Sequence, residues 1–127
     1  MIRVAAPHRI PALCVLGLCG LLLSIGVSAA ERFIHLSASS LVNMLPAHTL
    51  TDQVHWSYHF KANGVLDAID LGETKHGIWR LSGNDLCLDF KQKRKVESDC
   101  YEVWLAGNKV RLLRDGVEIL EGFLEDN

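Results

Sequence analysis

The sequence predicts an all-β domain: a small antiparallel meander that closes into a barrel or a coiled sheet, with one short N-terminal helix. Three observations carry that prediction. From Val54 on, apolar and polar residues alternate with the period of two that a half-buried strand needs, and aromatic and β-branched residues crowd one face. Turn signals such as Asn63-Gly64, Gly107-Asn108 and Asp115-Gly116 recur at roughly the 8–12-residue spacing of hairpin-linked strands. No helical stretch separates one strand from the next, so the alternation of a parallel α/β fold is absent. A sheet with one apolar face gains by curling on itself, because closure removes its exposed edges.

The chain opens with a different pattern. Arg3 and Arg9 precede an uncharged run from Ile10 to Ala30, with its apolar heart at Leu13 to Val27 and small residues at Val27-Ser28-Ala29-Ala30. A positive start, a short apolar middle and a small-residue exit are the parts of a secretory signal peptide. The heart is shorter than the roughly 20 apolar residues of a spanning helix. Residues 1–30 are therefore expected to be a signal peptide cleaved after Ala29 or Ala30, and residues 31–127 a single all-β domain in the periplasm or outside the cell; an uncleaved anchor is the rival. Leucine, not a small residue, precedes both Cys14 and Cys19, which argues against a lipoprotein cysteine. Loss of Arg3 and Arg9 leaves 11 basic against 15 acidic residues, a net charge of −4 with histidines neutral. A nucleic-acid binder needs a strongly basic face, so that class is excluded. Membrane contact is expected only through the leader before cleavage.

Ser37 begins the helix, its hydroxyl suited to cap a free backbone N–H, with Leu36 and Leu41 placed as a hydrophobic staple. Leu41, Met44 and Leu45 form one apolar face and Pro46 ends it. Two turns cannot stand alone, so this helix must pack on the sheet or plug one end of it. Seven strands follow. Val54, Trp56, Tyr58 and Phe60 oppose His55, Ser57 and His59. Val65 to Leu71 and His76 to Leu81 come next. Leu86 to Phe90 then sets Leu86, Leu88 and Phe90 against Cys87 and Asp89, and a long tip from Lys91 to Ser98 leads to Asp99 to Leu105, where Tyr101, Val103 and Leu105 oppose Cys100, Glu102 and Trp104. Lys109 to Leu113 and Val117 to Leu124 complete the meander.

Cys87 and Cys100 are mirror partners about Lys93/Arg94, so a hairpin there brings them face to face. A structural disulfide follows, suited to an oxidising compartment and to a small core; a redox pair is the alternative, and metal ligation would need two further ligands. His55 and His59 share a strand face about 13 Å apart, too far to hold one metal, and His48 or His76 could join them only through folding. Lys91, Lys93, Arg94 and Lys95 put four positive charges in five residues, which suits an anionic surface such as a lipid headgroup or an acidic partner, or a merely solvated loop. Trp56, Tyr58, Trp79 and Tyr101, with Trp104, either line a ligand pocket or fill a small barrel; Trp104 shares the face of Cys100 and is expected to pack on the disulfide. Ser57 lies between two histidines but on no nucleophile elbow. Asp67, Asp70 and Glu73 scatter around a turn, and no Gly-rich loop opens a helix. No catalytic residue, metal or cofactor is indicated.

Three features in series resemble a known family. Leu36-x4-Leu41-x3-Leu45-x3-Thr49 precedes an aromatic strand, which ends at Phe60 and runs into Ala62-Asn63-Gly64. Gly77-x-Trp79-x-Leu81 is then followed by Leu86-Cys87-Leu88, Asp99-Cys100-Tyr101 and Gly107-Asn108-x-Val110-x-Leu112. The series resembles the uncharacterised exported bacterial proteins of domain of unknown function 995, over nearly the whole chain after the leader. That resemblance implies a lipocalin-like or calycin-like barrel with a Cys–Cys hairpin, and it transfers no catalytic residue. Gly77-x-Trp79-x-Leu81-Ser82-Gly83 with Cys87 close behind is also similar to the periplasmic metalloprotease inhibitors of the small barrel type, which enter a protease cleft with a free N-terminal segment. Here that segment begins with the charged Glu31 where the family has small residues. The expectation is a non-catalytic exported barrel that binds a small apolar ligand or an envelope component. The alternative is an inhibitor of an exported enzyme such as a protease or lysozyme, acting through its N-terminal segment or a hairpin tip.

Overall fold

The computed structural model describes residue 26 and residues 30–127; most of the expected leader, including Cys14 and Cys19, lies outside the described residues. Strands β2 (His48–Thr51), β3 (Trp56–Phe60), β4 (Val65–Asp70), β5 (Glu73–Ser82), β6 (Asp85–Gln92), β7 (Lys95–Ala106), β8 (Lys109–Arg114) and β9 (Val117–Asp126) follow β1 (Ile34–His35) and helix α1 (Ala38–Met44). All neighbours pair antiparallel; β9 returns to β2 and β7 meets β8, so β2 to β9 close into an eight-stranded barrel. The short β1 lies outside that ring, pairing with β7 at Ile34–Leu105 and His35–Trp104.

The helix forms as its sequence requires. Ser37 caps it, accepting from the Ser40 N–H at 3.4 Å. Pro46 sits in a single 3-10 turn, Leu45–Ala47, where its missing N–H costs nothing. Leu41 and Leu45 are almost fully buried in the core, and the Ala38 N–H donates to Asn84 Oδ1 at 3.0 Å in the β5–β6 turn. The helix therefore covers one end of the barrel. At the other, open end lie the Asp52–His55 loop and the turns at 71–72, 93–94 and 115–116.

The interior is filled by side chains. Leu50, Phe60, Leu66, Trp79, Leu86, Leu88, Tyr101, Val103, Val110 and Leu112 join the two helix leucines in one cluster. Aromatic rings knit it: Phe60 meets Trp79 edge-on at 5.8 Å, and the Trp79 indole N–H donates to the Lys61 carbonyl at 2.8 Å. The buried indole is thus satisfied, as a polar group in an apolar interior must be.

Several expectations need correction. Two strands escape the seven expected. In β2, Thr49 and Thr51 are buried alongside Leu50 because their hydroxyls find partners: Thr51 donates to the Trp56 carbonyl, and Thr49 meets His59 and Asn127. Burial on both faces erases the alternation that would have marked the strand. Val54 is no strand residue and stands 78% exposed. The Asp52 carboxylate accepts the backbone N–H groups of Val54, His55 and Trp56 and holds the chain in a loop. His55 and His59 consequently share no strand face; His55 belongs to that loop. The long tip from Lys91 to Ser98 is in fact paired strand up to a two-residue turn at Lys93–Arg94, its pairing hidden by its charge.

Candidate functional site

Cys87 and Cys100 are direct cross-strand partners, with Cα atoms 4.0 Å apart, and are joined by a disulfide. The same outer wall carries a polar brace. Arg80 Nε donates to Asp89 at 3.0 Å, its terminal nitrogen reaches Ser98 Oγ at 3.2 Å, and the Ser98 hydroxyl donates to Asp89. The Ser98 bond holds the Asp89 carboxyl below its usual range, against the opposing effect of burial and with help from Arg80. Disulfide and brace together fix the base of the β6–β7 hairpin.

The aromatic candidates lie inside. Trp79 and Tyr101 are buried in the core, while Trp56 and Tyr58 pack against it nearer the open end, with Tyr58 6.2 Å from Phe90. Trp104 stays outside the core, stacked on His35 at 4.9 Å and donating to Glu102 at 3.0 Å; its partner is β1, where the disulfide was expected. The alternation that buries Leu66 and Ala68 brings Asp70 to the inner face at the open end, where Lys75 meets it at 3.0 Å. Across the mouth, Arg114 pairs with Asp99 at 2.7 Å and lies 6.0 Å from the Tyr101 ring. Burial pushes the Tyr58 hydroxyl up to about 12, with Asp70 and Tyr101 adding to the effect. Tyr101 is raised too, by burial and Asp99, with Arg114 opposing.

The wall itself is open beside this mouth. Strands β5 and β6 pair from Ser82–Asp85 to Gly77–Phe90 and no further. Beyond that point β5 runs on to Glu73 beside β4 alone, and β6 runs on to Gln92 beside β7 alone. Two unpaired strand edges thus face a wedge of about 630 Å³, lined by Glu73, Thr74, Lys75 and His76 on one side and Phe90, Lys91, Gln92 and Lys93 on the other. A shallower hollow of about 360 Å³ over Ile78 and Val96 shares His76 and Lys91 with it. Gly77 makes the last pair possible: a Cβ there would lie 2.3 Å from the Asp89 carbonyl oxygen. The wedge is larger than the hollow of about 450 Å³ beside the Asp52 loop. In that loop the Asp52 carboxylate is already taken by three backbone N–H groups and by His55.

Charge singles out the same place. Among the described residues Lys61, Lys75, Arg80, Lys109, Arg111 and Arg114 each form an ion pair, whereas Lys91, Lys93, Arg94 and Lys95, clustered at the tip, form none, and neither does the isolated Arg32. His76, on the rim, is held by Asp67 at 2.8 Å, and Asp67 also takes Lys61 at 2.7 Å. Lys91 and Val96 are cross-strand partners, as are Gln92 and Lys95, on the opposite face of the ribbon. The four free cations therefore surround the tip of a two-stranded finger that projects past the ring of the barrel. Among the described residues no three His, Cys, Asp or Glu side chains group in a way that could hold a metal ion.

The N-terminal segment is held down. Glu31 pairs with Lys109 at 3.0 Å, the Arg111 guanidinium stacks 4.0 Å from the Phe33 ring, and β1 adds to β7. Compared with protein-family models, curated proteins and solved structures, the chain matches none.

The basic tip was readable in the sequence; the wedge beside it was not. Its one sequence signal is Gly77, a lone glycine inside a strand, which marks a bulge or a close backbone approach.

Proposed function

We propose that this chain is an exported, non-catalytic binding protein, and that it takes a small anionic amphiphile in the wedge between β5 and β6. One observation carries the reading: a concavity of about 630 Å³, flanked by unpaired strand edges and unpartnered cations, opens beside a barrel whose interior is already filled. Small-molecule sites are concave, with apolar lining and a few placed polar groups. Here the ring of Phe90 offers the apolar surface, and the unpaired Lys91 and Lys93 draw an anionic head. The ligand sits in the wall and not in the barrel's centre, because aromatic and leucine side chains occupy the centre. The disulfide and the leader-like start of the sequence support export.

The test is a calorimetric titration with dodecyl phosphate as monomer, beside the uncharged dodecyl maltoside. Saturable heat with the phosphate alone is expected. No heat with either compound, or equal heat with both, would overturn the reading.

Inhibition of an exported enzyme is a second reading, favoured by the projecting finger. The finger, not the N-terminal segment, is its carrier, since residues 31–35 are engaged with β7 and β8. Loss of activity of an acidic-cleft protease or lysozyme in the presence of the protein, reversed by substitution at Arg94, is its test.

A further inference from the structure

We propose that the β6–β7 finger is a membrane-contact element, which seats the protein on a phospholipid surface bearing anionic headgroups. This rests on the same finger and wedge as the binding function proposed above and names the source of the ligand: the lipid layer on which the finger stands.

Charge complementarity argues first. The described barrel carries more acid than base, yet four cations without ion-pair partners sit within five residues at one projecting point. A molecule of that kind approaches an anionic surface finger-first, because its remaining charge is repelled. Placement argues second. Lys91 lies on the outer face of the ribbon, Lys95 on the inner face, and Lys93 and Arg94 at the turn. A protein partner touching one facet would meet only part of this set. A layer of headgroups into which the tip dips meets all four.

Apolar exposure argues third. Val96, the cross-strand partner of Lys91, is 61% exposed, and Ile78 below it is 52% exposed. Apolar side chains beside cations suit the boundary between headgroups and acyl chains.

The experiment is vesicle sedimentation with the chain from Glu31 on, which holds the entire closed barrel, its core and its disulfide. Vesicles of phosphatidylcholine alone are compared with vesicles of equal parts phosphatidylcholine and phosphatidylglycerol, at low and high salt. Wild type should bind only the anionic vesicles and release them at high salt. The Lys93→Gln/Arg94→Gln double variant, with unchanged melting, should bind about thirty-fold more weakly, from two surface charges removed. Val96→Ser should weaken binding while leaving its salt dependence intact.

Equal binding of wild type and double variant, or binding to neutral vesicles as strong as to anionic ones, overturns the proposal. Polyglutamate that displaces the vesicles, with no effect of Val96→Ser, overturns it in favour of an acidic protein. If anionic vesicles are ignored while dodecyl phosphate monomer still binds, the membrane role falls and the ligand site stands. If vesicles bind through the finger while the monomer does not, the ligand site falls and the membrane role stands.

Discussion

Replacing Gly77 with alanine should force β5 and β6 apart at the base of the wedge. The added Cβ would lie 2.3 Å from the Asp89 carbonyl oxygen, 3.2 Å from its carbon and 3.0 Å from Phe90 Cδ1. Non-bonded carbon contacts settle near 3.5–4.0 Å, so the backbone must give by about an ångström. Asp89 has little room to retreat, because Ser98 pairs with it on the far side and Arg80 and Ser98 hold its carboxylate. Overpacking of this kind costs about 1–3 kcal/mol, and a backbone obstacle belongs at the upper end. Alanine recovers about 0.4–1 kcal/mol by restricting the unfolded chain. The clash wins, leaving a net loss of about 2 kcal/mol, which for a domain of this size lowers Tm by about 8–16 °C. Thermal unfolding followed by circular dichroism under non-reducing conditions measures it. A variant that melts at or above the wild-type temperature would refute the close approach of β5 to β6, and with it the geometry of the wedge.

Cys87→Ser should cost about 3 kcal/mol under oxidising conditions, the unfolded-chain entropy of a loop of this length, and reduced wild type should melt with the variant; equal melting of variant and oxidised wild type would mean that the bridge adds nothing. The chain has only two tyrosines, Tyr58 and Tyr101, and both hydroxyls are raised by burial. Phenolate absorbance at pH 10 should therefore be weaker in the folded protein than in the unfolded chain, and the Tyr58 share should appear only as the pH climbs toward 12 or as the protein unfolds. Since the unfolded tyrosine ionises near 10 and folded Tyr58 near 12, stability falls with rising pH across that window, and Tyr58→Phe should flatten the fall. At the acid end, the Asp52 carboxyl is held far below its usual range: burial raises it, but the N–H groups of Trp56, Val54 and His55 outweigh that. Its contribution is complete above the unfolded value near 3.9 and fades as pH drops further, so Asp52→Asn should lower stability at neutral pH and weaken its dependence on acid.

Most hairpins were legible because the strands from β3 to β9 bury apolar residues on one face and, β6 excepted, meet a turn residue at the end; Leu86, Leu88 and Phe90 against Cys87 and Asp89 is enough to set the register. That register, with the mirror relation about Lys93 and Arg94, is why the disulfide could be read from spacing alone. The helix was legible from Ser37, Leu41 and Pro46, whose roles are local. What escaped depends on partners distant in sequence. Thr49 and Thr51 are buried only because His59, Asn127 and the Trp56 carbonyl reach them. Val54 leaves its strand because one carboxylate, Asp52, binds three successive N–H groups. Inward-facing aromatics look alike in sequence whether a barrel is filled or hollow, and only the packing of Phe60, Trp79 and Tyr101 distinguishes the two. The wedge is least legible of all, since it arises where two well-formed strands part company beyond Gly77.

The proposed ligand site is the wedge between β5 and β6. Backbone amide shifts recorded while dodecyl phosphate is added to the folded protein test it most directly. The account predicts saturable changes concentrated at Thr74–Gly77 and Phe90–Val96, with the helix-covered end around Leu41 and Asn84 unmoved. Changes centred on the helix end or on the Asp52 loop, or no saturable change anywhere, would contradict it.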